Sequence, residues 1–101
     1  MEYQIEVTRQ YLRDLKLARR RNLDEVKLNK VIATLACGDA LPPANKDHVL
    51  TGNYKGYREC YVAPDWLLIY SRSDVLKIVK LVRTGSHSDD NEYSFKLDTK
   101  N

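Results

Sequence analysis

The chain has 101 residues, 43% of them hydrophobic and 31% charged, which is typical of one globular domain and excludes a largely disordered protein. No apolar run approaches the roughly 18 to 20 residues of a membrane span, and the first residues lack the pattern of a signal peptide, so we expect a cytoplasmic protein. The formal net charge of +3 combines a basic segment, residues 1–88, with an acidic tail, residues 89–101. A basic surface suits a polyanionic partner such as RNA, although many basic surfaces bind nothing.

Metal ligands are scarce in this sequence. The two cysteines, Cys37 and Cys60, are far apart and form no CxxC pair, which excludes a cysteine zinc site. The two histidines, His48 and His87, show no spacing that metal sites use. We therefore predict chemistry without a metal or another cofactor.

The first half of the chain predicts a strand and a helical hairpin. Residues 3–7 read as a short strand, and Thr8 is suited to cap the helix that follows. Apolar residues recur at helical spacing up to the basic run at residues 19–21. Asn22 is the next cap candidate, and Gly38 is a natural end for the second helix.

The second half predicts strands. Residues 57–62, 66–72 and 75–83 form three apolar runs separated by turn residues, which indicates an antiparallel sheet that the first strand joins. Part of this sheet is apolar on both faces, so the helical hairpin should cover it. We predict a single α+β domain over residues 1–88, in the order β-α-α-β-β-β, followed by a polar tail, residues 89–101, that is partly mobile or a short helix.

Three segments in this order carry a family resemblance: KDHVLTGNYKGYREC, VAPDWLLIY and RTGSHS. They resemble the YafQ-type toxins of the RelE/ParE superfamily, over roughly residues 3–88. Those toxins are ribosome-dependent mRNA interferases of type II toxin-antitoxin systems. The resemblance implies a RelE-like fold with a concave RNA-binding face, cleavage of mRNA in the ribosomal A site, and a labile antitoxin as partner.

The resemblance also implies a set of site residues. Carried over onto this sequence, the family's residues are His48, Asp65, Trp66, Arg83 and His87. Two positions depart from the pattern, because Tyr61 stands where the family often has histidine and Asn91 where it has an aromatic residue. A tyrosine, with a reference pKa of about 10, is a poorer base than histidine.

These residue types suit metal-free RNA cleavage, in which the 2′-hydroxyl attacks the adjacent phosphate and leaves a 2′,3′-cyclic phosphate and a 5′-hydroxyl. Positioning alone can contribute about 7 to 11 kcal/mol. His48, His87 and Asp65 are candidates for proton transfer, with base and acid unassigned, and Arg83 suits the phosphorane charge. The predicted RNA-binding residues are Trp66, Tyr61, Lys55 and Arg58.

Each of these residues also has a plain structural explanation. Asp65 suits a turn, Trp66 a core, and Lys55 and Arg58 a solvated strand edge. Strand alternation places Arg58 and Tyr61 on opposite faces, so only one of them can face the RNA. The joint occurrence of these residues in the family order favours the toxin hypothesis.

Two alternatives stay open at this stage. One is a ParE-like inhibitor of DNA gyrase, and the other is an inactive RNA-binding remnant, which Tyr61 and Asn91 would suit. For an active toxin we expect little or no cleavage of naked RNA, because so small a chain offers little surface with which to order a substrate.

Overall fold

Two α-helices, two short 3-10 helices and five strands lie within residues 2–86, the part of the chain that the computed structural model describes. The elements are β1 (Gln4–Val7), α1 (Arg9–Arg20), α2 (Glu25–Ala36), β2 (His48–Val49), β3 (Arg58–Ala63), β4 (Trp66–Ser73) and β5 (Ile78–Ser86). The predicted α+β class and element order are confirmed, with β2 as an additional short strand. The predicted tail, residues 89–101, lies outside the described residues.

The sheet is mixed rather than antiparallel. Its strand order is β1-β5-β4-β3-β2, and β1 pairs parallel with β5 while the other neighbours pair antiparallel. Hairpin connections fix the directions of β3, β4 and β5 relative to one another, whereas β1 reaches the sheet before the helices and is free of that constraint. No helix within residues 2–86 is long and apolar enough to cross a membrane.

The two helix starts differ in how well the sequence predicted them. Thr8 caps α1, because its side-chain oxygen accepts a hydrogen bond from the backbone N–H of Tyr11 at 2.9 Å. The cap of α2 is Asp24, which accepts from the N–H of Val26 at 3.0 Å, and not the predicted Asn22. Asn22 has φ of 60° and lies in the left-handed conformation that commonly ends a helix, here α1.

The connection between β4 and β5 is longer than predicted. Val75 and Leu76 were assigned to the last strand, but they lie in a four-residue turn and are 90% and 69% exposed. The hydroxyl of Ser73 accepts from the N–H of Leu76 at 3.0 Å, and Lys77 has φ of 58°. Apolar residues in a turn imitate a strand in the sequence, because periodicity does not separate the two over so few residues.

The two faces of the sheet are covered in different ways. On the helix-covered face, side chains of α1 and α2 pack on those of β3, β4 and β5 to form the main core. The opposite face, called here the open face, carries Leu67, Ile69 and Val82. The helical hairpin was the predicted cover, and it covers one face only. The second apolar cluster lies beneath four residues of the segment from β2 to β3, namely Leu50, Tyr54, Tyr57 and Tyr61.

Candidate active site

The short strand β2 brings His48 to the edge of the sheet. His48 lies opposite Glu59 of β3 in the antiparallel register, so both side chains are on the open face. The Nδ1 atom of His48 is 2.7 Å from the carbonyl oxygen of Lys46, and its Nε2 atom is 3.1 Å from Oε1 of Glu59. The histidine side chain is 46% exposed, whereas the glutamate side chain is only 7% exposed. A solvent-facing imidazole is therefore held against a buried carboxyl group.

Asp47, next to His48 in the sequence, stabilises this edge of the sheet through contacts on the helix-covered face. Its carboxylate accepts from Nε of Arg58 at 3.2 Å and from the hydroxyl of Tyr70 at 2.6 Å. The hydrogen bond to Asp47 raises the pKa of Arg58 further above its usual value, although burial acts in the opposite direction. Arg58 and Tyr61 lie on opposite faces of the sheet, as predicted. Because Arg58 is paired with Asp47, its contacts favour a role in supporting β2 over RNA binding.

Tyr61 follows Glu59 by two residues along β3 and lies on the same face. The ammonium group of Lys46 is 5.8 Å from the centroid of the tyrosine ring, within the range of a cation–π contact. The side-chain amide of Asn45 donates to the backbone oxygen of Tyr61 at 2.6 Å, which fixes the loop above it. Tyr61 and Lys46 thus line one end of a cavity of about 560 Å³ that reaches Lys27 and Pro64.

Asp65 lies in the turn between β3 and β4. Its Oδ2 atom accepts a hydrogen bond of 2.7 Å from the hydroxyl of Ser86, the last described residue of β5. A second cavity of about 430 Å³ is lined by both side chains and also by Arg21, Asp24 and Lys27. The two cavities share Lys27, Ala63 and Pro64, and together they are called here the basic groove. His87, the predicted neighbour of this site, lies outside the described residues.

The strand register places His48 and Asp65 at opposite ends of β3. His48 is paired with Glu59, and Asp65 comes two residues after Ala63, the end of β3. The four residue steps of strand from Glu59 to Ala63 span about 13 Å of backbone. Tyr61 lies between them.

The ring of Trp66 is not exposed, although its predicted role in RNA binding needs an accessible ring. Its side chain is 3% exposed and belongs to the main core, and its indole N–H donates to the hydroxyl of Thr84 at 2.8 Å. A base stacks only on an accessible ring face, so the burial of Trp66 gives no support to the predicted stacking role. The structural explanation, that Trp66 starts an apolar strand, is correct for this residue.

Arg83 of β5 forms an ion pair with Asp14 of α1. Its Nε atom is 3.1 Å from Oδ2 of Asp14, in a pair whose side chains are 12% and 2% exposed. Burial lowers the pKa of Arg83, but hydrogen bonds to Asp14 and Tyr54 outweigh it and leave the pKa above its usual value. Asp14 also accepts from the backbone N–H of Thr84 at 3.0 Å. This geometry does not support the predicted contact of Arg83 with a phosphorane, because its charge already has a buried counter-ion.

Known proteins share both the sequence and this geometry. A family model described as "Bacterial toxin of type II toxin-antitoxin system, YafQ" matches residues 3–90. The chain belongs to this family. The curated mRNA interferase toxin YafQ of Escherichia coli K12 is 48% identical over 86 residues, which cover 83% of this chain and 90% of that protein.

Solved structures of the family have the same fold. A crystal structure of YafQ from E. coli BL21(DE3) superposes with a TM-score of 0.79 at 38% identity and covers 88% of this chain and 98% of its own. A crystal structure of the E. coli DinJ-YafQ complex gives a TM-score of 0.76 at 40% identity, with 85% and 94% coverage. The helical hairpin on a five-stranded sheet is therefore the fold of the YafQ family.

A metal remains a separate question for this YafQ-family chain. Within residues 2–86 no group of three or more His, Cys, Asp or Glu side chains is arranged to hold a metal ion. A metal-bound toxin from Helicobacter pylori nevertheless has a TM-score of 0.78 to this chain at 39% identity, covering 86% of this chain and 97% of its own. The metal-free mechanism thus stays a prediction.

Several residues of the site were missing from the sequence prediction. Glu59 is absent from the predicted set because the sequence pattern predicts no strand at His48, and only a strand there puts the two side chains side by side. The basic groove depends on how helices and loops meet, so its lysines and arginine look like ordinary surface charges in the sequence: Arg21, Lys27 and Lys46. Lys55, which was predicted to bind RNA, is exposed after the short helical turn Gly52–Tyr54.

Proposed function

We propose that this protein is the toxin of a type II toxin-antitoxin pair and acts as a ribosome-dependent endoribonuclease that cleaves mRNA in the A site. The observation that carries the proposal is the arrangement of two polar pairs along β3. The His48–Glu59 pair lies at one end, the Asp65–Ser86 pair at the other, and Tyr61 lies between them beside the basic groove. The family and its curated mRNA interferases support the toxin and mRNA interferase parts of this proposal.

The basic groove would hold the RNA backbone. Arg21, Lys27 and Lys46 line it, and such side chains attract phosphates whatever the base sequence. The exposed Lys55 could add to this attraction from the neighbouring loop. Tyr61 offers a half-buried ring on which an unpaired base could stack, a contact that contributes about 1 to 3 kcal/mol.

The chemistry would be an in-line attack by the 2′-hydroxyl on the adjacent phosphate. One group takes the 2′ proton and another donates a proton to the leaving 5′ oxygen, giving a 2′,3′-cyclic phosphate and a 5′-hydroxyl. The candidates for these transfers are His48, Asp65 and His87. A positioned general acid or base typically raises the rate by about 100- to 10,000-fold for each proton transfer.

The partner in the cell would be a cognate antitoxin. The E. coli YafQ chain that resembles this protein has been crystallised with DinJ, and this chain covers nearly all of it. A basic groove of this kind would suit an acidic segment of the antitoxin, which would then exclude RNA by occupying the same surface. Co-expression with the neighbouring reading frame should abolish growth arrest if that frame encodes the antitoxin.

The decisive experiment is primer extension on ribosome-bound mRNA with the purified protein. We expect cleavage within the A-site codon by the wild type, and at least about 100-fold slower cleavage by His48→Gln and by Asp65→Asn. Glu25→Gln is the matched control, because it changes a partly exposed carboxylate that pairs with Arg19 away from the open face. Equal cleavage of naked RNA would contradict the dependence on the ribosome.

The metal-free mechanism has its own test. Ribosomes need Mg²⁺, so the protein itself should be stripped with a chelator, dialysed and then added to ribosomes in magnesium buffer. We expect full activity with no bound transition metal by elemental analysis. Loss of activity after stripping, with recovery on adding zinc or copper, would show that a metal takes part.

Tyr61 favours a second candidate, a protein that binds ribosomal mRNA but does not cut it. The family often has histidine at this position, and tyrosine transfers protons poorly at neutral pH. This candidate predicts that the wild type arrests translation and protects the A-site codon without leaving a 2′,3′-cyclic phosphate end. Detection of that end would exclude it.

A further inference from the structure

The strand that carries His48 is short and lies at the edge of the sheet. β2 has only two residues, His48 and Val49, and both are exposed. Within the described part of the chain β2 pairs with β3 on one side only. Beyond β2, the backbone N–H of Leu50 donates to the carbonyl oxygen of Tyr57 at 2.9 Å. So short an edge strand frays easily, so further contacts have to hold His48 in place.

Asp47, directly before β2, makes such contacts. Its carboxylate accepts from the hydroxyl of Tyr70 at 2.6 Å, and from Nε and Nη2 of Arg58 at 3.2 and 3.1 Å. Arg58 of β3 and Tyr70 of β4 are paired in register, so their side chains share the helix-covered face. Tyr70 is 2% exposed and belongs to the main core. These three residues are called here the edge clamp: Asp47, Arg58 and Tyr70.

The hydroxyl of Tyr70 is a dependable donor in this clamp. Burial and the hydrogen bond to Asp47 raise the pKa of Tyr70 above its ordinary value, so the hydroxyl keeps its proton at neutral pH. Because Tyr70 lies in the packed core, its ring has little freedom to follow a moving partner. Asp47 is therefore tied to a fixed point of the sheet, two strands away from β2.

The clamp and His48 hold neighbouring residues from opposite faces of the sheet. Asp47 makes its contacts on the helix-covered face, and His48 contacts Glu59 on the open face. Lys46, the residue before Asp47, has φ of 48°, so the chain bends sharply there. The carbonyl oxygen of Lys46 is 2.7 Å from Nδ1 of His48. A displacement of Asp47 would therefore move both the backbone of His48 and one contact of its ring.

A second cluster of the same three residue types lies at the other edge of the sheet, next to β1. The hydroxyl of Tyr3 donates to Oδ1 of Asp74 at 2.7 Å, and Nε of Arg72 is 3.3 Å from the same oxygen. Tyr3 is 7% exposed, so it is buried like Tyr70. This cluster, called here the far cluster, has similar hydrogen bonds but lies far from His48, because β1 and β2 are the opposite edges of the sheet.

We propose that Asp47, held by Tyr70 and Arg58, is a positioning residue that sets the place of His48 during RNA cleavage. This inference rests on the proposed function and deepens it, because it adds residues of the helix-covered face to those on which the rate depends. The clamp neither touches the RNA nor exchanges a proton with it. A displacement of about 1 Å in a reacting group can cost about 100-fold in rate. Loosening the clamp should therefore lower kcat more than it raises KM.

The first test compares Tyr70→Phe with Tyr3→Phe in cleavage of ribosome-bound mRNA. Each change removes one hydroxyl that donates to an aspartate, one in the edge clamp and one in the far cluster. We expect Tyr70→Phe to lower kcat at least about tenfold and to change KM less than about threefold, whereas Tyr3→Phe should change both less than about twofold. Thermal unfolding checks that both variants are folded. Equal cleavage by the two variants would show that the clamp only stabilises the fold, and the proposal would be wrong.

The second test asks whether Asp47 acts through His48. Asp47→Ala should lower kcat about 100-fold in the wild-type background but less than about twofold further in His48→Gln, because residues that act as a unit are not additive. Asp47→Asn keeps an acceptor for both donors, so it should recover at least about tenfold of the rate lost in Asp47→Ala. The full loss repeated in the His48→Gln background would overturn the proposal.

Amide hydrogen exchange tests the clamp in the free protein. The N–H of Leu50 reports on this edge, since it is bonded to the carbonyl oxygen of Tyr57. Its exchange should become at least about tenfold faster in Tyr70→Phe and stay unchanged in Tyr3→Phe. Unchanged exchange in Tyr70→Phe would show that the clamp does not hold β2.

The exchange measurement also separates this inference from the proposed function. It needs neither ribosome nor substrate, so it decides whether the clamp holds β2 even for a protein that does not cleave. If the wild type cleaves no mRNA, the proposed function fails, and the kinetic role of Asp47 fails with it. If the wild type cleaves and Tyr70→Phe cleaves equally fast, the positioning role alone is wrong.

Discussion

Two carboxyl groups in this protein are almost equally buried, yet their surroundings differ. Asp14 is 4% exposed and Glu59 is 5% exposed. Asp14 faces Arg83, whose side chain is 12% exposed, and it also accepts from the backbone of Thr84, so its partners are largely enclosed as well. Glu59 faces His48, whose side chain is 46% exposed.

The comparison separates a structural pair from a pair that a substrate can reach. Arg83 stays protonated at any physiological pH and is enclosed, so its contact with Asp14 ties α1 to the end of β5 and offers nothing to transfer. His48 carries an imidazole, the side-chain group that enzymes use most often for proton transfer, and nearly half of it faces solvent. Burial of the carboxylate alone therefore does not identify the active pair. The exposure and chemistry of its partner do.

The largest expected effect comes from breaking the enclosed pair. Asp14→Ala leaves a buried guanidinium without its counter-ion, so the free energy of unfolding should fall by about 3 to 5 kcal/mol. Urea denaturation at neutral pH measures this. The control is Glu25→Ala, which removes the more exposed pair with Arg19 and should cost less than about 1 kcal/mol. A loss for Asp14→Ala as small as the control would show that the pair does not support the fold.

Breaking the accessible pair should give the opposite pattern. His48→Gln keeps a polar side chain at a largely exposed position, so its unfolding free energy should change by less than about 1 kcal/mol. Its cleavage rate should fall at least about 100-fold, equivalent to about 2.7 kcal/mol in the activation free energy. The Asp14 variant would then show its main loss in the unfolding assay, and the His48 variant would show its main loss in the cleavage assay. A folded His48→Gln protein with wild-type cleavage would remove His48 from the mechanism.

The sequence predicted the helices and the fold class better than the contacts of these two carboxyl groups. The hydrophobic period of the two helices and the Thr8 cap are local signals, and the α+β class follows from them with the strand pattern. β2 was missed because a strand of two residues is too short to show alternation. Without β2 the pairing of His48 with Glu59 has no basis in the sequence.

The contacts of Arg83 and Trp66 were beyond the reach of the sequence for another reason. Both residues fit the family motif, and both were assigned to the RNA because a motif does not show which way a side chain faces. The partner of Arg83 is Asp14, far away in the chain, and Trp66 contacts Thr84 on a neighbouring strand. Such contacts between distant residues are tertiary, and only the fold reveals them.

A smaller effect concerns a buried thiol of β3. Cys60 alternates with Glu59 along this strand and lies on the helix-covered face with 0% exposure. Burial raises the pKa of its thiol to about 12, with minor contributions from Asp47 and Glu59. The folded state therefore holds this proton more tightly than the unfolded state, in which the thiol has its ordinary pKa of 9.0. Its contribution to stability is complete below pH 9 and is lost as the pH rises from about 9 to about 12.

We expect the unfolding free energy to fall by about 1.4 kcal/mol for each pH unit within this window. Denaturation by urea between about pH 8 and about pH 10.5 measures the slope. Cys60→Ala should have lower stability at about pH 8 because of the cavity, but a flatter dependence on pH. Burial also raises the pKa of Tyr11, to about 12, so some slope should remain above about pH 10 in the variant. An unchanged slope in Cys60→Ala would show that the thiol does not titrate in this way.

The smallest expected effect is at Tyr61, between the two candidate proton-transfer groups. Tyr61→Phe removes the hydroxyl but keeps the ring that Lys46 approaches at 5.8 Å, a contact of about 0.5 to 1 kcal/mol at exposed sites. If Tyr61 only supports a base or the lysine, cleavage of ribosome-bound mRNA should change less than about threefold, because little of the cation–π or stacking energy is lost. Tyr61→Ala is the matched variant and should raise KM more than it lowers kcat. A drop of about 100-fold for Tyr61→Phe would instead assign a proton transfer to the hydroxyl and make tyrosine a working replacement for the family's histidine.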